Sequence, residues 1–93
     1  MYLTTTITLE NKNFKVNLAP NPAKEETVIS YDGLEENSFV EIYDLTGRLI
    51  NNYELLNASG NLLVNTSSLP SGIYIVVIKS NNYNIFQQKL IKE

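Results

Sequence analysis

Histidine and cysteine, the side chains behind most nucleophilic, acid–base and zinc chemistry, are both absent from this 93-residue sequence. Without an imidazole, a serine nucleophile needs a lysine base, and the adjacent Ser67 and Ser68 have no lysine near them in the chain. The densest acids, Asp32, Glu35 and Glu36, lack the alternating oxygen ligands of a calcium loop, so they read as a solvated turn. The four glycines are scattered singly, which leaves no phosphate cradle. Six tyrosines (Tyr2, Tyr31, Tyr43, Tyr53, Tyr74 and Tyr83) could stack against a sugar. Tyrosine is also a favoured strand residue, and with no tryptophan present sheet packing is the simpler account. Asn57-Ala58-Ser59 and Asn65-Thr66-Ser67 fit the N-glycosylation pattern, a match that chance supplies readily among thirteen asparagines. No catalytic residue, cofactor or metal is expected.

Composition narrows the class further. A chain that is 43% hydrophobic and 18% charged has the make-up of one globular domain. Its net charge of −3 offers no basic footprint for nucleic acid or anionic lipid. No apolar run approaches the roughly 18–20 residues that span a bilayer as a helix. The absence of cysteine is compatible with an exported protein that folds without oxidative help. The opening Met1-Tyr-Leu-Thr-Thr-Thr-Ile alternates in character and has neither a basic start nor an apolar core. It is not a signal peptide, and the export signal of a secreted protein is expected outside this chain.

Strand follows strand. Val, Ile, Thr, Tyr and Phe cluster in short stretches separated by Asn, Gly, Pro and Ser, with no helix-period run. Strands are expected over residues 3–9, 14–18, 27–31, 38–45, 48–55, 61–65, 73–79 and 85–92, with the turn spacing of a β-sandwich. Ile29 and Tyr31, Val40 and Ile42, and Tyr74, Val76 and Ile78 recur at period two and are expected to share the core. Ile73, Ile75 and Val77 make the same strand apolar on its other face, which places it centrally in its sheet. The last strand is ambiguous, because Phe86/Leu90 and Ile85/Ile91 fall on opposite faces.

Punctuation has physical causes. Pro20 and Pro22 remove backbone donors, so the chain is expected to leave a sheet edge there, at the entry to the sandwich and without ladder bonds. Gly47 supplies a positive φ for a hairpin across Asp44–Leu49. Pro70 is expected at the first corner of a turn whose Gly72 admits the next strand. Ser80–Asn84 is expected to close the last hairpin without glycine, asparagine being the side chain that best tolerates the left-handed region.

Four blocks in order resemble one known family: Pro20-Asn21-Pro22; the 27–50 hairpin with Gly47-Arg48; Leu69-Pro70-Ser71-Gly72-Ile73-Tyr74; and a final strand bearing Lys89 and Lys92. This is similar to the C-terminal sorting domain of type IX (Por) secretion substrates, of the A type. The resemblance covers residues 16–93 and leaves 1–15 as a linker or an extra strand. It departs at Tyr83, where the family often has glycine, and at Gln88, where it often has a second basic residue.

The resemblance implies an all-β, immunoglobulin-like antiparallel β-sandwich of about seven to eight strands. It implies a non-catalytic secretion signal read by the outer-membrane type IX translocon and removed by a sortase-like protease. The covalently linked passenger upstream would then be secreted or held at the cell surface, by way of the periplasm and outer membrane. Pro20, Asn21, Pro22, Gly47, Arg48, Leu69, Pro70, Gly72, Tyr74, Lys89 and Lys92 are the recognition residues it implies. Two expectations come from the residues themselves: the terminal strand is an exchangeable edge able to form a dimer, and the alternative role is a carbohydrate-binding or spacer module of an extracellular enzyme.

Overall fold

The computed structural model describes residues 14–93; the strand expected over 3–9 lies outside the described residues. Seven strands follow one another without a helix among the described residues: β1 (Lys15–Ala19), β2 (Glu26–Asp32), β3 (Ser38–Asp44), β4 (Leu49–Leu55), β5 (Gly60–Asn65), β6 (Gly72–Ser80) and β7 (Tyr83–Lys92). They form a three-stranded sheet, β1-β2-β5, and a four-stranded sheet, β4-β3-β6-β7, with every strand pair antiparallel. The chain crosses between the sheets after β2 and β4 and returns after β5. This is the immunoglobulin-like sandwich, with β4 joined to β3 instead of to the smaller sheet.

Alternation builds the core as expected. Ile29, Val40, Ile42, Val76 and Ile78 are fully buried, and Tyr31 and Tyr74 nearly so. From the smaller sheet Leu18 and Val64 meet them, and Leu90 of β7 completes the layer. Leu34, expected in a solvated acidic loop, turns inward and is buried, its amide donating to Ala58 O at 3.0 Å. The central strand β6 is apolar on both faces, as its sequence requires.

A β-bulge settles the ambiguity of the last strand. Ile78 pairs with Phe86 and Lys79 with Asn84, so Ile85 is the extra residue. The bulge interrupts the alternation, and the neighbours Ile85 and Phe86 both pack against the core. Ile91 stays on the outer face. The last hairpin turns on Asn81 and Asn82 at φ 53° and 70°, the two positive angles of a type I′ turn.

Core and surface positions should separate sharply in urea denaturation. Ile29→Ala is expected to cost about 2–5 kcal/mol through the cavity it leaves. Leu63→Ala, on the solvated outer face of the smaller sheet, should stay within about 0.5 kcal/mol.

Candidate recognition site

The strand directions place the sequence blocks together. β1 ends, β2 begins and β5 ends at one pole of the sandwich, where β3 hands over to β4, β6 starts and β7 stops. The Pro20–Pro22 segment, the Gly47-Arg48 turn, the Leu69–Gly72 loop and the end of β7 therefore converge on this pole. Phe14, where the described chain enters, lies beside Gly33, Asn81 and Ile85 at the other pole. The prolines thus sit after β1 and distal to the entry. The expectation that they mark the entry is corrected, because β1 has already crossed the sandwich before Pro20 is reached.

Residues 20–25 form a strap between the sheets. Asn21 behaves as a surrogate peptide: its Nδ2 donates to Lys89 O at 2.9 Å, and Ile91 N donates to its Oδ1 at 3.0 Å. Ala23 then bridges β7 in parallel, its amide donating to Ile91 O at 2.7 Å while its carbonyl accepts from Glu93 N at 2.8 Å. The strap returns to the smaller sheet through Thr66, whose amide donates to Glu25 O and whose hydroxyl donates to Lys24 O. Thr27 Oγ1 donates to Pro20 O at 2.9 Å, which fixes the start of the strap. Pro20 and Pro22 donate nothing to a ladder, as expected of prolines, yet the residues between and after them do. Among the described residues the outer edge of β7 is consequently occupied over Lys89–Glu93 and open over Tyr83–Gln88.

The Gly47-Arg48 turn is organised by Asp44. Its Oδ1 accepts from Thr46 N (2.9 Å), Thr46 Oγ1 (2.6 Å) and Arg48 N (3.0 Å), and its Oδ2 accepts from Arg48 Nε at 3.2 Å. Gly47 stands at φ 89°, a conformation that side chains resist. The hydrogen bonds from Thr46, with those from Arg48, hold the Asp44 carboxyl below its ordinary pKa.

The Leu69–Gly72 loop differs from expectation in its phase. The turn runs from Thr66 to Leu69, closed by Leu69 N donating to Thr66 O at 3.0 Å, so Pro70 follows the turn and does not form its corner. Asn65 is the reason: its Oδ1 accepts from Ser67 N and Ser67 Oγ, starting the turn early. Pro70 supplies an acceptor, since Tyr74 Oη donates to its carbonyl at 2.6 Å. Gly72 opens β6 at φ 155°.

The two terminal lysines separate. Lys89 is exposed on the outer face of the larger sheet, opposite Ile75. Lys92 has the other parity, is partly buried, and donates from Nζ to Glu93 O at 3.2 Å. The tyrosines scatter too. Tyr31 and Tyr74 are core, Tyr43 donates to Glu41, and Tyr83 alone of the described tyrosines is strongly exposed. The acids of the 32–37 loop face different partners, Asp32 accepting from Ser59 and Glu35 from Asn81. Among the described residues no group of three or more acidic side chains is placed to hold a metal ion.

Ala23, Asp44 and Thr66 are structural members of the pole that sequence reading passed over. Their partners lie far along the chain or within a turn, and only Asp44, opening a glycine turn, carries a local signal.

In this seven-stranded sandwich most of the polar side-chain wiring among the described residues gathers at one pole. The sequence comparisons name the kind of domain. Residues 17–93 match the secretion system C-terminal sorting domain, and the chain belongs to that family. It is also 32% identical over 89 residues to an ulvan lyase of Nonlabens ulvanivorans, a match that spans 94% of this chain and 16% of the lyase. A domain of this family is a C-terminal secretion signal, and it directs export across the outer membrane to the cell surface or beyond.

Asn21→Ala should release the end of β7 without unfolding the sandwich. The amides of Ile91 and Glu93 are expected to lose hydrogen-exchange protection, with a global cost of about 1–2 kcal/mol from the lost hydrogen bonds. Acid should weaken the Asp44 turn. A carboxyl whose folded pKa is depressed adds stability that is fully present above its unfolded value, about 3.9, and is lost as pH falls through the folded one. Urea midpoints at neutral pH and near pH 3 should therefore fall less in Asp44→Asn than in the parent.

Proposed function

We propose that residues 16–93 act as a non-catalytic, A-type sorting signal for the type IX translocon, with residues 1–15 linking it to a passenger upstream. The convergence of Pro20–Pro22, Gly47-Arg48, Leu69–Tyr74 and the β7 end on the pole farthest from Phe14 carries this reading. A passenger attached beyond Phe14 leaves that pole free to be read. The much longer ulvan lyase, of which this chain covers 16%, supports a passenger-plus-signal arrangement. A sortase-like protease is proposed to cut on the passenger side after export, freeing the passenger or fixing it at the surface. The edge of β7 that the described residues leave open over Tyr83–Gln88 supports pairing with a second copy, which sizing chromatography at rising concentration would reveal.

A fluorescent passenger carrying an N-terminal signal peptide and this chain at its C-terminus should leave a host that possesses the type IX machinery. Ending the chain after Lys79 removes β7, exposes the edge of β6 and deprives Asn21 and Ala23 of their partners. The passenger should then stay in the periplasm. Gly72→Val, which strains the start of β6 by about 1–3 kcal/mol, should reduce export less severely. Export of the truncated fusion at the full-length level would contradict a sorting role.

A further inference from the structure

Among the described residues one partly apolar sheet face is left uncovered. On β6 the residues Tyr74, Val76 and Ile78 fill the core, while Ile73, Ile75 and Val77 point the other way. Val77 is only 5% exposed yet stands outside the core cluster, sealed by its neighbours on the outer face. The pairing register extends this column sideways at the distal pole. Ile73 adjoins Ile91, Ile75 lies between Tyr43 and Lys89, and Tyr43 adjoins Leu49. Ile73, Ile91 and Leu49 remain 38%, 39% and 46% exposed. Isolated apolar side chains on a surface need no explanation, whereas a contiguous set on one sheet face does.

Charge on this face is unevenly spent. Glu41 accepts from Tyr43 Oη at 2.5 Å and from Lys79 Nζ at 3.0 Å, so the central ions compensate each other. Glu54 lies at the far corner, on the outer face opposite Phe39. Lys89 has no ion pair among the described residues and stands directly beside the apolar column.

We propose that this distal half of the outer face, formed by Leu49, Tyr43, Ile75, Ile73, Ile91 and Lys89, docks a protein component of the export machinery. The segment it takes presents an apolar ridge with a carboxylate set against Lys89. The inference rests on the sorting role proposed above and names the surface through which it is read. A second copy suits the face less well, because the patch holds Lys89 and no carboxylate of its own for a symmetry mate's lysine to meet, the adjacent Glu41 being engaged by Lys79 and Tyr43. Size points the same way. The distal half of a four-stranded face of seven-residue strands measures about 19 Å by 12 Å, roughly 220 Å² in projection. That is small beside the roughly 800 Å² per partner of a stable complex, and it suits a contact that must release its cargo.

The test is export of the fluorescent fusion from a type IX host, with folding checked by circular dichroism and thermal melting. The paired substitution Ile73→Glu with Ile91→Glu puts charge on the face and is expected to lower the ratio of exported to periplasmic passenger at least tenfold. Lys89→Glu should lower it several-fold, and Lys89→Gln less. Leu63→Glu, on the outer face of the other sheet, should export like the parent. Normal export of a folded Ile73→Glu/Ile91→Glu fusion overturns the proposal while leaving the sorting role intact. Should that pair not fold, the exposed Lys89→Glu decides alone, and parental export by it overturns the proposal. If the parent fusion itself is not exported, the sorting role and this inference fall together. A dimer of the purified chain that the paired substitution abolishes would reassign the face to a second copy, also overturning it.

Discussion

The carboxamide of Asn21 is the joint on which the architecture turns. Strand pairing organises each sheet separately, and the apolar core holds the sheets face to face. A core alone leaves the end of a sandwich open. Asn21 and Ala23 close it by treating the outer edge of β7 as a ladder to be completed, while Thr66 anchors the same strap to the smaller sheet. Ala23 is fully buried as a result. The last five residues, on the edge strand where fraying is cheapest, thereby gain hydrogen bonds on a second side.

This closure bears directly on how a domain can serve as an address. The strap, the Asp44 turn, the Tyr74–Pro70 contact and the final lysines occupy one pole, and the chain enters at the other. Each device at the distal pole uses polar side chains to order main chain. Asn21 orders β7, Asp44 orders Thr46 and Arg48, Asn65 orders Ser67, and Tyr74 orders the loop at Pro70. Such wiring costs little buried charge and yields a surface of defined shape, which a receptor can read without chemistry.

Most of the strands were legible in the sequence because antiparallel sheets with one wet face leave a period of two. Ile29/Tyr31, Val40/Ile42 and Tyr74/Val76/Ile78 need no more than that to be assigned to the core. The strap was illegible. Its decisive bonds join Asn21 to residues 68 and 70 positions away, and nothing local distinguishes this asparagine from the other twelve. Ile85 was undecidable because a bulge cancels the alternation on which the reading depends. Leu34 was hidden by the acids around it, and Asn65 displaced the turn that Pro70 suggested. The motif residues themselves came from resemblance. Parity alone is enough to separate Lys89 from Lys92.

The central claim is that the domain is read folded, with β7 in place at the end of the sandwich. Its most direct test uses a disulfide to prevent β7 from leaving. Val77 and Gln87 face each other across β6 and β7 on the outer face, away from the distal patch, in a chain that has no cysteine of its own. Their pair lies between ladder bonds, where α-carbons stand about 4.5 Å apart, within reach of a disulfide. In the oxidising periplasm a Val77→Cys/Gln87→Cys fusion should close this bridge. The account predicts that the passenger fused to the bridged form reaches the medium at the level of the Val77→Ser/Gln87→Ser control, with the bond intact in the domain, cut off or still attached, on a non-reducing gel. Retention of the bridged form in the periplasm while the serine pair is exported would contradict it, and would mean that the machinery reads β7 only after it has been peeled away.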